Sequence, residues 1–174
     1  MAPILMQELE EAVFQMKDGT TPGPDGFTIN FFHQFWDLLK NDILNIVEDS
    51  RQTQGILKAF NATFLTLIPK NKGVDEPSHF RPVSLCNVIY KIITKIIANR
   101  LKLLLPKIIS PEKAGFVEGR QIMDGVLLIH EMAHSLRTTK NPGMFLKIDM
   151  AKAYDKLNWQ YLSNTLKAFG FQDR

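Results

Sequence analysis

Apolar residues recur at helical spacing over much of this chain and at strand spacing in a few short stretches. In "PILMQELEEAVFQMK", Leu5, Leu9, Val13 and Met16 share one helix face. "TINFFHQFWDLLKNDILNIVEDSRQ" carries Phe32, Phe35, Trp36, Leu39, Ile43, Ile46 and Val47, a broad apolar face that predicts one longer helix. Over residues 62–70, "ATFLTLIPK" alternates Phe64, Thr66 and Ile68 with Leu65, Leu67 and Pro69, a short strand ended by proline. A second extended piece is expected at Arg81–Leu85, because the residue before Pro82 disfavours helical geometry. The strongest helix pattern covers 87–105. Ile89, Ile92, Ile93, Ile96, Ile97, Leu101 and Leu104 form its inner stripe, Lys91, Lys95 and Lys102 lie opposite, Asn87 is a candidate cap and Pro106 a stop.

Residues 121–137 predict another helix, with Ile122, Val126, Ile129, Ala133 and Leu136 inward. "MFLKIDMAKAYDKLNW" then reads as a strand that ends on Asp149 and passes into a helix. Met144, Leu146 and Ile148 would face a core; Phe145, Lys147 and Asp149 would face the other way. In the last helix Leu162, Leu166 and Phe169 point inward, Asp155 or Asn158 caps the start and Gly170 follows the end. Two stretches read as loops: "DGTTPGPDGF", where Pro24, Asp25 and Gly26 are turn formers, and "SPEKAGFVEGR", with an extended middle. Short strands separated by a majority of helices give the fold class α+β.

Composition narrows the field. With 45% hydrophobic and 22% charged residues in 174, the chain is ordinary globular protein. Cys86 is its one cysteine, which excludes an intrachain disulfide and fits a reducing, intracellular compartment, nuclear or cytoplasmic. No secretory leader or run long enough to span a bilayer is read at the sequence level, so neither secretion nor a membrane partner is expected. His33, His79, His130 and His134 do not form a metal motif. The net charge of +3 hides an asymmetry: residues 1–60 balance at −5, residues 61–120 at +6 and residues 121–174 at +2. A basic middle third faces either a polyanion or only solvent.

Asp149 carries the sharpest chemical question. A carboxylate at the C-terminal end of a strand can hold a hard cation such as Mg²⁺, which takes one or two carboxylates together with substrate phosphates. The same residue can simply cap the turn.

Five motifs in order bear on that choice: "GPDG", "LIPK", "FRPVSL", "AGFVEGR" and "IDMAKAYD". This set resembles the reverse transcriptases of non-LTR (LINE-type) retrotransposons, closest to those of plants, from about Leu9 to Phe171. The resemblance implies a helix-rich, partial right-hand polymerase fold, truncated to the fingers and the first palm strand. Residues 1–60 would be a helical fingers extension, 61–140 the fingers and 141–174 the start of the palm. It implies that Asp149 is the catalytic aspartate and a metal ligand, with the carbonyl of Met150 beside it, for two Mg²⁺ ions. Tyr154 would lie under the sugar of the incoming nucleotide, and Lys70 and Arg81 would reach its triphosphate. Gly115 and Phe116 would approach the template, and Arg120 would bind phosphate there; Lys113 stands where the family usually has glutamine. The implied partners are an RNA template, a DNA primer and dNTP.

The same family carries a "YxDD" hairpin with two more aspartates, and no such run occurs in these residues. The 174 residues are therefore expected to be inactive alone, and the exposed palm edge is expected to favour self-association. The alternative function is a non-catalytic nucleic-acid-binding remnant.

Overall fold

A computed structural model describes residues 2–73, 76–139, 142–149 and 156–172. The chain divides into two compact units, Met1–Leu101 and Lys102–Arg174.

The first unit owes its core to the amphipathic stripes. Helix α1 (Met6–Phe14) buries Leu9, Ala12 and Val13. The long helix expected next is two helices, α2 (Ile29–Gln34) and α3 (Trp36–Thr53). They part at Phe35, whose φ of −102° and ψ of 21° are not helical. The break falls inside an aromatic cluster in which Phe31 meets Phe27, Phe32 and Phe35 with ring centroids 4.8–5.5 Å apart. Ile29, Phe32, Trp36, Ile43 and Val47 are buried, whereas Phe35 is largely exposed. Helix α4 (Val88–Lys102) completes the core with Val88, Ile89, Ile92, Ile93 and Ile96. Its apolar stripe leaves the core early: Ile97 and Leu104 are exposed.

The expected strands pair as an antiparallel hairpin, β1 (Thr63–Pro69) with β2 (Phe80–Cys86), in the register Thr63↔Cys86 to Pro69↔Phe80. In a two-stranded sheet each strand has an open edge, so Pro69 and Pro82 are tolerated despite lacking an N–H.

Asn87, between β2 and α4, is the buried polar residue of this unit, 2% exposed. It does more than end a helix. Its Oδ1 accepts from the Asp25 N–H at 3.2 Å and its Nδ2 donates to the Ala59 carbonyl at 2.9 Å. One side chain thus ties the "GPDG" loop and the segment leading into β1 to the point where β2 ends. Gly23 makes this approach possible, since a Cβ there would fall on Asn87 Oδ1 and the Asn87 backbone nitrogen. The N-terminal segment is held separately: Arg100 donates to the carbonyls of Ala2 and Pro3 and to both carboxylate oxygens of Glu8.

In the second unit the chain turns from α4 into the one-turn helix α5 (Leu105–Ile108). Pro106 sits in the first turn of α5 rather than stopping a helix, a position where its missing N–H costs nothing. Helix α6 (Ile122–Thr139) follows, and the expected inner face is mostly open: Ile122, Val126 and Ile129 are exposed, while Ala133 and Leu136 are partly covered. The strand expected over 144–149 is not formed. Residues 142–149 are exposed and carry no regular secondary structure. The hydrophobic alternation is present, but a strand needs a neighbour, and the two strands of the described residues already pair with each other. The fold is thus mixed helix with a small two-stranded sheet, α+β, without the strand expected over 144–149. Helix α7 (Trp159–Ala168) is capped by Asn158, whose side chain accepts from the Tyr161 N–H at 2.9 Å. Gly170, at φ 90°, follows its end as expected.

Candidate nucleic-acid interface

Three groups of expected site residues can be followed. The first lies at the far end of the β1–β2 hairpin. Arg81 is paired with Ile68, and the two-residue period of a strand places Lys70 on the face that Ile68 and Arg81 share. The Lys70 N–H continues the ladder to the His79 carbonyl at 2.9 Å. Its Nζ donates to the Ser78 carbonyl at 2.9 Å, so the ammonium is held over the one-turn 3₁₀ helix Pro77–His79. Arg81 is exposed, and its guanidinium has no partner among the described residues. The hairpin therefore offers an oriented ammonium and a free fork-shaped donor on one face. That pair can grip a phosphate chain, the Arg bidentately and the Lys as a point charge.

The second group is the loop between α5 and α6. Phe116 is 97% exposed and adopts a left-handed backbone with φ 63°, as does Gly119 at 80°. Val117, next to it, is buried and anchors the loop. Gly115 has open space around its Cα, so a chain or base can come close to the backbone there. Arg120 does not project freely. Its Nη1 donates to the carbonyls of Ser110 at 2.5 Å and Lys113 at 2.8 Å, and its Nη2 to that of Ile109 at 2.9 Å. The resemblance implies a phosphate contact for Arg120, and no periodic pattern in the sequence reveals a guanidinium turned onto its own loop.

Asp149, the third, is exposed, has no hydrogen-bond partner among the described residues, and belongs to the second unit. Lys70 and Arg81 belong to the first. Met150 and Tyr154 lie outside the described residues. Among the described residues no group of three or more His, Cys, Asp or Glu side chains is gathered for a metal ion. A lone exposed carboxylate is one ligand and not the donor set of a two-metal centre. The described residues by themselves thus do not make up the two-ion Mg²⁺ site that the family resemblance implies.

Carboxylates elsewhere are engaged by cations. The Arg51 guanidinium, with help from Gln52 and the Ile4 N–H, holds the Glu48 carboxyl down to about 2, against the partial burial that opposes it. Arg100 holds Glu8 below the usual range. Glu112 is lowered by its own backbone N–H and the Ser110 hydroxyl, with a smaller contribution from the charge of Arg120.

Comparison with known proteins places this sequence in a family. The family profile described as "Reverse transcriptase (RNA-dependent DNA polymerase)" matches residues 68–174, which contain most of the hairpin, the Phe116 loop and Asp149. The chain belongs to the reverse transcriptase family. It is 37% identical over 169 residues to the "Transposon TX1 uncharacterized 149 kDa protein" of Xenopus laevis, covering 97% of this chain and 13% of that protein. It is 23% identical over 172 residues to the "Retrovirus-related Pol polyprotein from type-1 retrotransposable element R2" of Popillia japonica, covering 98% and 23%. The protein of the same description from Nasonia vitripennis is 24% identical over 166 residues, covering 95% and 15%. The chain thus spans less than a quarter of each of these relatives. They are proteins of non-LTR elements, in line with the resemblance, and lend no support to its plant side. No helix of the described residues is long and apolar enough to cross a membrane.

Proposed function

We propose that this chain supplies the fingers and the start of the palm of an RNA-directed DNA polymerase of a non-LTR retrotransposon. The observation that carries the proposal is the hairpin, which presents Lys70 and Arg81 on one face within the family-matched segment. In this reading those cations bind the triphosphate of the incoming dNTP. Gly115 and Phe116 meet the RNA template, and Asp149 with the Met150 carbonyl contributes to Mg²⁺ binding. Tyr154 lies against the sugar, and the DNA primer supplies the end that is extended.

Labelling by a photoreactive dNTP in the presence of an RNA template and DNA primer tests this. The label is expected on the hairpin, and Arg81→Ala is expected to reduce it by about tenfold, the loss of one charge-assisted contact. Labelling that ignores Arg81 and Lys70, or falls elsewhere, would sink the assignment. Residues 1–174 alone are expected not to extend the primer in Mg²⁺, because among the described residues no group of carboxylates is gathered for a two-metal reaction. Templated synthesis would show that expectation to be wrong.

The isolation of Asp149 among the described residues favours a second reading, a nucleic-acid-binding remnant without chemistry. Titration calorimetry with Mg²⁺ separates the two: Asp149→Ala abolishes binding in the first and changes nothing in the second.

A further inference from the structure

The segment from Ile109 to Arg120 is organised around one guanidinium. Three of the five N–H donors of Arg120 are directed at backbone carbonyls spread over residues 109–113, at 2.5–2.9 Å. The turns between are closed by the Lys113 N–H on the Ser110 carbonyl at 3.1 Å and the Arg120 N–H on the Val117 carbonyl at 3.3 Å. Arg120 therefore staples the start of the loop to its end.

What the staple holds in place is unfavourable by itself. A phenylalanine at φ 63° sits in a region that L side chains with a Cβ avoid, and its ring is 97% exposed. Neither feature benefits the packing of the described residues. A strained, water-exposed aromatic on a tied-down loop is a feature kept for contact with something else. Nor is the ground beside Arg120 suited to phosphate. Glu112 lines the same pocket as Arg120 and feels its charge, and Asp124 lines that pocket too.

We infer that Arg120 is a positioning residue: it makes no contact with the nucleic acid but locks the loop so that Phe116 is presented, already ordered, for stacking on a base. This rests on the reading of Phe116 as a template contact. Preorganisation is the physical gain, because the loop loses little freedom when the base arrives. A lysine at 120 keeps the charge but not the planar fork that serves three carbonyls at once.

The test measures binding of a labelled single-stranded RNA to residues 1–174 across a salt series, together with amide hydrogen exchange. Phe116→Ala is expected to weaken binding by about tenfold, the worth of one aromatic–base stack. Arg120→Lys is expected to weaken it comparably with the salt slope unchanged, and the double variant to be no worse than either. In Arg120→Lys, amides of residues 110–119 exchange faster while those of α3 and α4 keep wild-type protection, which shows that the fold persists. Wild-type affinity in Arg120→Lys, or a salt slope in Arg120→Ala shallower by about 0.7, would identify a phosphate contact and overturn the inference. Unchanged exchange at residues 110–119 overturns it whatever the RNA does. Unchanged binding in Phe116→Ala, with the loop loosened in Arg120→Lys, overturns instead the template role of Phe116.

Discussion

Glu48 shows how much a single surface carboxylate can organise. It lies on α3, one turn before Arg51, whose Nε and Nη2 donate to it at 2.5–3.0 Å. It also accepts from the Ile4 N–H at 3.2 Å, a residue 44 positions earlier. Glu8 completes the same fastening through Arg100. Both carboxyls are lowered in the folded protein, Glu48 to about 2 from an ordinary 4.5. A depressed folded value stabilises above the unfolded value and loses its effect as pH falls through the folded one. Thermal midpoints are therefore expected to fall between about pH 4.5 and 2, and Glu48→Gln to flatten that stretch of the curve. A Glu48→Gln protein with the wild-type acid profile would assign the loss to other groups. None of this was legible in the sequence. An i,i+3 Glu–Arg pair is common on helix surfaces, and nothing in its spacing points to the chain terminus.

At the scale of elements, α4 and α7 were readable as helices from their apolar periods, although Phe169, expected inward, is exposed; β1 and β2 were readable as short strands, whose pairing only the family resemblance implies. The break at Phe35 was not, because one non-helical residue barely disturbs a stripe that carries apolar residues on both sides of it. Asn87 was readable only as a cap. Its actual partners lie 62 and 28 residues away, so they become neighbours only after the helices have packed. The clasp makes two expectations. Asn87→Ala leaves the Asp25 N–H and the Ala59 carbonyl without this partner and is expected to cost about 1–3 kcal/mol. Gly23→Ala sets a methyl within 2.6 Å of the Cys86 carbonyl carbon, where backbone must move, and overpacking of this kind costs about 1–3 kcal/mol. Urea unfolding monitored at Trp36 reads both, as a lower midpoint at constant slope. A change under a few tenths of a kcal/mol in both variants would mean that the "GPDG" loop is only a turn.

Across the whole molecule, the two units differ in how far they bury what they carry. The first closes a core from four helices, with both side-chain polar atoms of Asn87 satisfied. In the second, Val117 is the buried apolar residue among those described. Ile122, Met123, Leu127 and Ile129 of α6 and Met144, Leu146 and Ile148 after it stand open to water. A helix that is apolar on several sides is a helix meant to be covered. The alternation over 144–149 is a strand pattern lacking a pairing partner, which explains why the sequence predicts a strand that the structure does not contain. Extended apolar chain with unpaired N–H and C=O groups pairs with whatever is offered, including another copy. The protein is therefore expected to associate as its concentration rises, with added salt strengthening the contact while weakening RNA binding. Replacing Leu146 and Ile148 together by Lys is expected to return it to monomer in light scattering without altering unfolding of the first unit. A wild-type chain that stays monomeric at high micromolar concentration in high salt would show that these apolar positions are covered from within the chain.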